Sequence, residues 1–167
     1  MDASTEVAFD SGPPTVSPYE RTIVLKRVFD APRALMWKMW TDPAHLAQWF
    51  GPRIFTSHSV KLDLRVGGML HLTMRGPDNT EHPMKCVFRE IVPNEKLAFV
   101  NDAFDDNGNK LLDGFTTVLL EDVGGKTRLT LEMTAKGVAE VTKFMLGGMS
   151  EGWIQSFDKL ASYLVKS

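Results

Sequence analysis

The chain has 167 residues, 43% of them hydrophobic and 24% charged, which suits a single soluble globular domain with a full apolar core. Its net charge is −2 at pH 7 and its 19 Lys and Arg residues form no basic run, so neither nucleic acid nor a membrane surface is an expected partner. A single cysteine excludes an internal disulfide, and no segment approaches the roughly 18 apolar residues of a membrane span.

Residues 1–18 are rich in Ser, Thr and Pro and lack periodicity, so they read as a flexible tail, although Val7, Ala8 and Phe9 could dock on the domain. The tail has no basic-then-apolar secretory pattern, and the expected compartment is the cytoplasm. Residues 19–167 read as one domain. RTIVLKRVF, residues 21–29, is rich in β-formers and predicts a first strand. Asp30 is then expected to cap a helix in which Leu35, Met36, Met39 and Trp40 form an apolar face that Trp37 extends. In TDPAHLAQWFGP, residues 41–52, Asp42-Pro43 signals a second helix start and Gly51-Pro52 a stop. Leu46, Trp49 and Phe50 share one face of this short helix. Two turns do not hold together alone in water, so both rings must lie against something.

The period then changes from 3.6 to 2. Strands are predicted over 55–64, 68–74, 81–92, 96–104, 114–121 and 126–133, with turn chemistry such as Pro93-Asn94, Asn107-Gly108 and Gly124-Gly125 between them. The last is the cleanest, with Leu129, Leu131 and Met133 on one face and Arg128, Thr130 and Glu132 on the other. Such short links imply an antiparallel meander. After Gly137 the helical pattern returns and runs to about Lys166, on the order of 44 Å. Val138, Val141, Met145, Met149, Gly152, Ser156 and Leu160 form its apolar stripe, flanked by Trp153, Phe157 and Leu164. Phe144 and Ile154 fall among the polar positions, which leaves room for contact with a second subunit in a homodimer.

One long amphipathic helix must cover one face of a seven-stranded antiparallel sheet. Gly152 and Ser156 at the centre of its stripe fit either close helix–sheet packing or the wall of a cavity. The phrases RVFDAPRALMWKMWTDPAHLAQWFGP, DLRVGG, REIVPNEKLAF, GGKTRLTLEM and GWIQSFDKLASYL resemble the activator of Hsp90 ATPase homologue 1-like (AHSA1-like) family. That family is part of the START and Bet v 1-like superfamily. The resemblance implies an α+β helix-grip fold: a curved seven-stranded sheet round a long C-terminal helix, with two short helices between strands 1 and 2. It also implies a cavity between sheet and helix. Trp49 and Phe50 would sit at its entrance, as a core plug or as part of its lining.

Catalytic signals are sparse. The histidines His45, His58, His71 and His82 have no metal-ligand spacing, and no nucleophile elbow, P-loop or dinucleotide motif occurs. The acidic stretch NDAFDDNGNKLLDG fails as a calcium loop, because Ala103 and Gly114 stand where chelating side chains are required. No metal and no cofactor are expected. Cys86, within MKCVF, reads as a packed side chain rather than a reactive thiol. Asp63, Arg65, Arg75, Glu90 and Asp102 read as solvated strand charges. His71 alternates with Leu70 and Leu72, so it is either solvent-facing or the one titratable group of a cavity. The candidate cavity residues are Trp37, Trp49, Phe50, Met69, His71, Met84, Phe99, Met149, Trp153 and Phe157, with Met74 and Met145 adding to the methionine supply.

The expected function is binding of a small hydrophobic or amphipathic ligand. A polyketide cyclase or aromatase activity, which the superfamily includes, needs two convergent polar groups that the sequence does not display. An Hsp90-type chaperone partner, suggested by the family name, ranks last, because the chain lacks the separate N-terminal domain of the eukaryotic activators.

Overall fold

The computed structural model describes residues 4–10, 20–104, 107–137, 146 and 148–166. Among the described residues eight strands form one antiparallel sheet: β1 Glu6–Asp10, β2 Glu20–Phe29, β3 Thr56–Leu62, β4 Met69–Arg75, β5 Glu81–Val92, β6 Lys96–Phe104, β7 Lys110–Val123 and β8 Lys126–Gly137. Their spatial order is β1-β2-β8-β7-β6-β5-β4-β3. Strands β3 to β8 make the expected meander, and β2 pairs along β8 from Glu20↔Lys136 to Phe29↔Thr127. Between β2 and β3 the chain must cross from one flank of the sheet to its far edge. Helices α1 (Arg33–Thr41) and α2 (Pro43–Trp49) make that crossing. Helix α3, Met149–Lys166, covers the inner face. This is the helix-grip architecture, with eight strands where seven are expected. The eighth is β1, whose residues pair with Ile23–Lys26 at the edge of the sheet.

The alternation of β8 puts Leu129, Leu131, Met133 and Ala135 inside, where they meet Ile23, Leu25 and Phe29 of β2. The face of α3 that buries Met149, Ser156, Phe157 and Leu160 lies against them. Ile154 also packs partly on this core, so the polar-face position assigned to it by helical periodicity is only half-exposed. Phe144, Met145 and the stripe residues Val138 and Val141 lie outside the described residues.

Helix α1 starts later than expected. Its N-cap is Pro32, with no side-chain cap, and Asp30 stands outside the helix. The chain turns tightly at Phe29–Ala31, where Ala31 N donates to the Phe29 carbonyl at 2.9 Å. The Ala31 carbonyl then accepts from buried Thr127 Oγ1 at 2.7 Å. That anchor pins the turn to β8 and displaces the first helical residue to Arg33. Helix α2 begins where its sequence directs: the Asp42 carboxylate accepts from Ala44 N at 2.9 Å, with Pro43 in the first turn.

A clasp ties β1 to the start of α3. Arg21 Nε donates to Asp10 Oδ1 at 2.8 Å, and Ser150 Oγ donates to Asp10 Oδ2 at 2.8 Å. Arg21 also donates to the Leu146 carbonyl. No described helix is long and apolar enough to cross a membrane.

Candidate functional site: a cavity between sheet and helix

A cavity of about 230 Å³ opens between the inner face of the sheet and the first half of α3. The sheet contributes Met74 from β4, Met84 from β5, Phe99 and Asn101 from β6, and Met133 from β8. Helix α3 contributes Met149, Gly152, Trp153 and Ser156, with Gly148 just before it, and the loop after α2 contributes Phe50, Gly51 and Pro52.

The loop wall is held by a chain of hydrogen bonds. Lys159 Nζ donates to the carbonyls of Gly51, Pro52 and Phe55 at 3.2, 3.4 and 3.0 Å. Ser57 Oγ donates to the Phe50 carbonyl at 2.7 Å, and Arg53 N to Gln155 Oε1 at 3.0 Å. Partial burial holds the Lys159 ammonium below the usual lysine pKa, and the three carbonyls supply acceptors that water would otherwise provide. Gly51 sits at φ +103°, a region L side chains rarely enter, and a Cβ there would come within 3.1 Å of Met74 Sδ. Glycine therefore sets both the turn and the space beside Met74.

Aromatic packing closes one end. Trp40 and Trp49 meet edge-on at 4.7 Å, Trp153 stacks on Trp40 at 6.1 Å, and Phe50 meets Trp153 edge-on at 5.6 Å. The polar content of the cavity is small. Trp153 Nε1 points at Met133 Sδ, 3.2 Å away, a weak acceptor. Ser156 Oγ donates to the Gly152 carbonyl at 3.0 Å, and Asn101 Oδ1 accepts from Thr116 Oγ1 at 2.9 Å. No described lining residue is ionisable, and no group of three or more metal-ligating side chains occurs among the described residues.

The model of one protein family, described as activator of Hsp90 ATPase homolog 1-like protein, matches residues 30–165. The chain belongs to this family. Strands β1 and β2 precede the matched region. Among solved structures, a protein from Arthrobacter aurescens determined by solution NMR is 26% identical, with a TM-score of 0.76 and 87% of each chain covered. A Mycobacterium smegmatis protein is 21% identical, with a TM-score of 0.74, covering 96% of this chain and 99% of its own. An AHSA1 protein from Silicibacter pomeroyi is 22% identical, with a TM-score of 0.71, covering 86% and 97% respectively. At these lower identities the last two likenesses speak to fold alone. No curated protein matches the chain.

Of the ten residues picked out by sequence for this AHSA1-like chain, Phe50, Met84, Phe99, Met149 and Trp153 come together around the cavity. The other five do not. Trp49 is fully buried, its Nε1 donating to the Met39 carbonyl at 3.0 Å, so it plugs the core behind Phe50. The two adjacent rings expected at the entrance thus divide: Trp49 fills the core and Phe50 faces the space. Phe157 is also fully buried, edge-on to Phe29 at 5.8 Å. Trp37 packs at the margin of the core on α1. Met69 and His71 occupy the opposite face of β4 from Leu70 and Leu72, are half-buried, and border a separate groove with Lys61 and Arg65. His71 is therefore the solvent-side residue of its two alternatives.

Cys86 is fully buried, and burial together with the charge of Asp102 pushes its thiol up to about 12. It is a packed side chain. The charges expected on strands have local partners: Arg65 with Asp63 at 2.7 Å, both in the β3–β4 connection rather than on a strand, Arg75 with Glu81 at 3.1 Å, Glu90 with Lys96 at 2.9 Å and Asp102 with Lys110 at 3.5 Å.

Asn101 and Met133 belong to the lining and were not among the ten. Alternation could have found Asn101, since it follows Leu97 and Phe99 on the inner face of β6. A polar residue in that register is an anomaly in an otherwise apolar face.

Proposed function

We propose that this protein binds a small hydrophobic or amphipathic molecule in the cavity between β-sheet and α3. The observation that carries the reading is the lining: four methionines, three aromatic rings and Pro52 surround a space broken only by Asn101, Ser156 and glycine backbone. A cavity near 150 Å³ already accommodates benzene, so a space of 230 Å³ suits a compact molecule of one or two rings. Thioether side chains adapt to the outline of such an occupant at little cost. The family fold, built around a sheet and a gripping helix, supports the same reading.

The methionines supply their own assay. With methyl-labelled methionine, ethylbenzene added to the protein should shift the ε-methyl resonances of Met74, Met84, Met133 and Met149. Met36 and Met39, sealed in the core on α1, should stay in place. No shift up to the solubility limit, or equal shifts at all six, would sink the proposal.

A further inference from the structure

Resting on that reading, we propose that the cavity selects a neutral molecule carrying a hydrogen-bond-accepting oxygen on a compact apolar body. An aryl ketone is the simplest example. Asn101 Nδ2 is the donor that orients it, and Thr116 is the residue that positions Asn101.

A carboxamide in an apolar wall costs free energy unless its groups are paired. Half of this one is paired: Oδ1 accepts from Thr116 Oγ1 at 2.9 Å, and Thr116 itself is fully buried. That bond fixes the rotation of the amide, because the threonine hydroxyl cannot follow it elsewhere. The opposite half, Nδ2, has no hydrogen-bond acceptor among the described residues, and Asn101 lines the cavity. Across the β6–β7 ladder stands Gly114, the register partner of Asn101. A Cβ on Gly114 would lie 2.8 Å from Nδ2, so the space the amide occupies exists only because that side chain is missing.

The other polar groups of the lining are already engaged. Ser156 donates to Gly152, and the Trp153 indole is turned to Met133. A carboxylate or ammonium ligand would enter a space where no lining residue offers a counter-charge, since the Lys159 ammonium behind the loop wall is already spent on three carbonyls, and would lose its hydration uncompensated. A ketone or ester oxygen, by contrast, needs one good donor. A site built to donate to such an oxygen disfavours an analogue lacking it, because the donor is then left bare.

Three probes of matched shape separate these ideas: acetophenone, ethylbenzene and benzoate, each titrated against the intact chain by methionine methyl shifts. The wild-type protein should bind benzoate weakest. The ratio of the ethylbenzene to the acetophenone dissociation constant should fall about five- to tenfold in Asn101→Leu, as expected for loss of one hydrogen bond in an apolar site. It should fall in the same direction in Thr116→Val, which keeps the side-chain shape and adds no bulk over Gly114. An unchanged ratio in both variants, or benzoate as the tightest ligand, overturns this inference while leaving the cavity reading intact. Absence of methyl shifts with all three probes overturns the cavity reading itself.

Discussion

Two Gly→Ala substitutions make the same chemical change and should move stability in opposite directions. Alanine restricts the unfolded chain more than glycine does, a gain of about 0.4–1 kcal/mol wherever the folded backbone and its neighbours accept a methyl group. At Gly152, on α3, a Cβ meets only Pro52 Cγ at 3.6 Å, an ordinary contact. Alanine there also improves helix propensity, so Gly152→Ala should stabilise by up to about 1 kcal/mol. At Gly114 the same carbon would lie 2.5 Å from the Asn101 carbonyl oxygen and 3.0 Å from its Cγ. Comfortable contact begins near 3.4 Å, which leaves a deficit of about 0.9 Å against backbone that is itself held in the β6–β7 ladder. Overpacking of this kind costs about 1–3 kcal/mol. In a domain of this size 1 kcal/mol moves Tm by about 2–4 °C, so Gly114→Ala should lower Tm by about 2–12 °C and Gly152→Ala should raise it slightly. Circular dichroism melts and urea titrations of both variants check the pair. A Gly114→Ala protein as stable as the wild type would refute the claim that this glycine clears space for Asn101.

Three further outcomes are expected. Cys86 should resist iodoacetamide at pH 8 in the folded protein and react promptly in denaturant; its thiol is raised from 9.0 to about 12, so the protonated form contributes stability below pH 9 that fades as pH climbs towards 12. Rapid labelling under native conditions would show that the site is open. Asp10→Ala should destabilise by about 1–3 kcal/mol in urea, since Arg21 then loses its carboxylate partner in a half-buried position and Ser150 loses its acceptor; an unchanged midpoint would mean that β1 adds nothing to the domain. Trp49→Phe should cost about 2 kcal/mol, because it removes buried ring volume and leaves the Met39 carbonyl without its donor. Ligand shifts at Met84 should survive this change, since Trp49 is outside the lining.

The local chemistry of the chain is legible from its letters. Strands β5 and β6 occupy the residues that alternation assigned to them, 81–92 and 96–104, because period 2 and the turn residues between them are properties of adjacent positions. Helix α2 starts at Asp42-Pro43 for the same reason: a cap acts within three residues. Where the decisive partner lies far along the chain, the letters are silent. Asp30 looks like a cap, yet Thr127, 96 residues away, holds Ala31 and moves the helix start to Arg33. Val7, Ala8 and Phe9 look like part of a tail, yet β2 offers an edge and Arg21 a charge, and β1 forms there.

The site divides on the same line. Alternation shows that Met84 lies on the opposite face from its neighbours, and helical spacing puts Met149 and Trp153 near one side of α3; neither says which face is the inside or where the inside is left unfilled. Trp49 and Phe50 are adjacent and equally apolar, and only the packing of α1 against α3 makes one a core plug and the other a wall. Composition and periodicity determined that this chain would build an antiparallel sheet, two short helices and a long amphipathic helix. The tertiary structure decided that Asn101 faces a space, with Thr116 to hold it and Gly114 to make room, because a cavity is a property of distances between elements that no single element records.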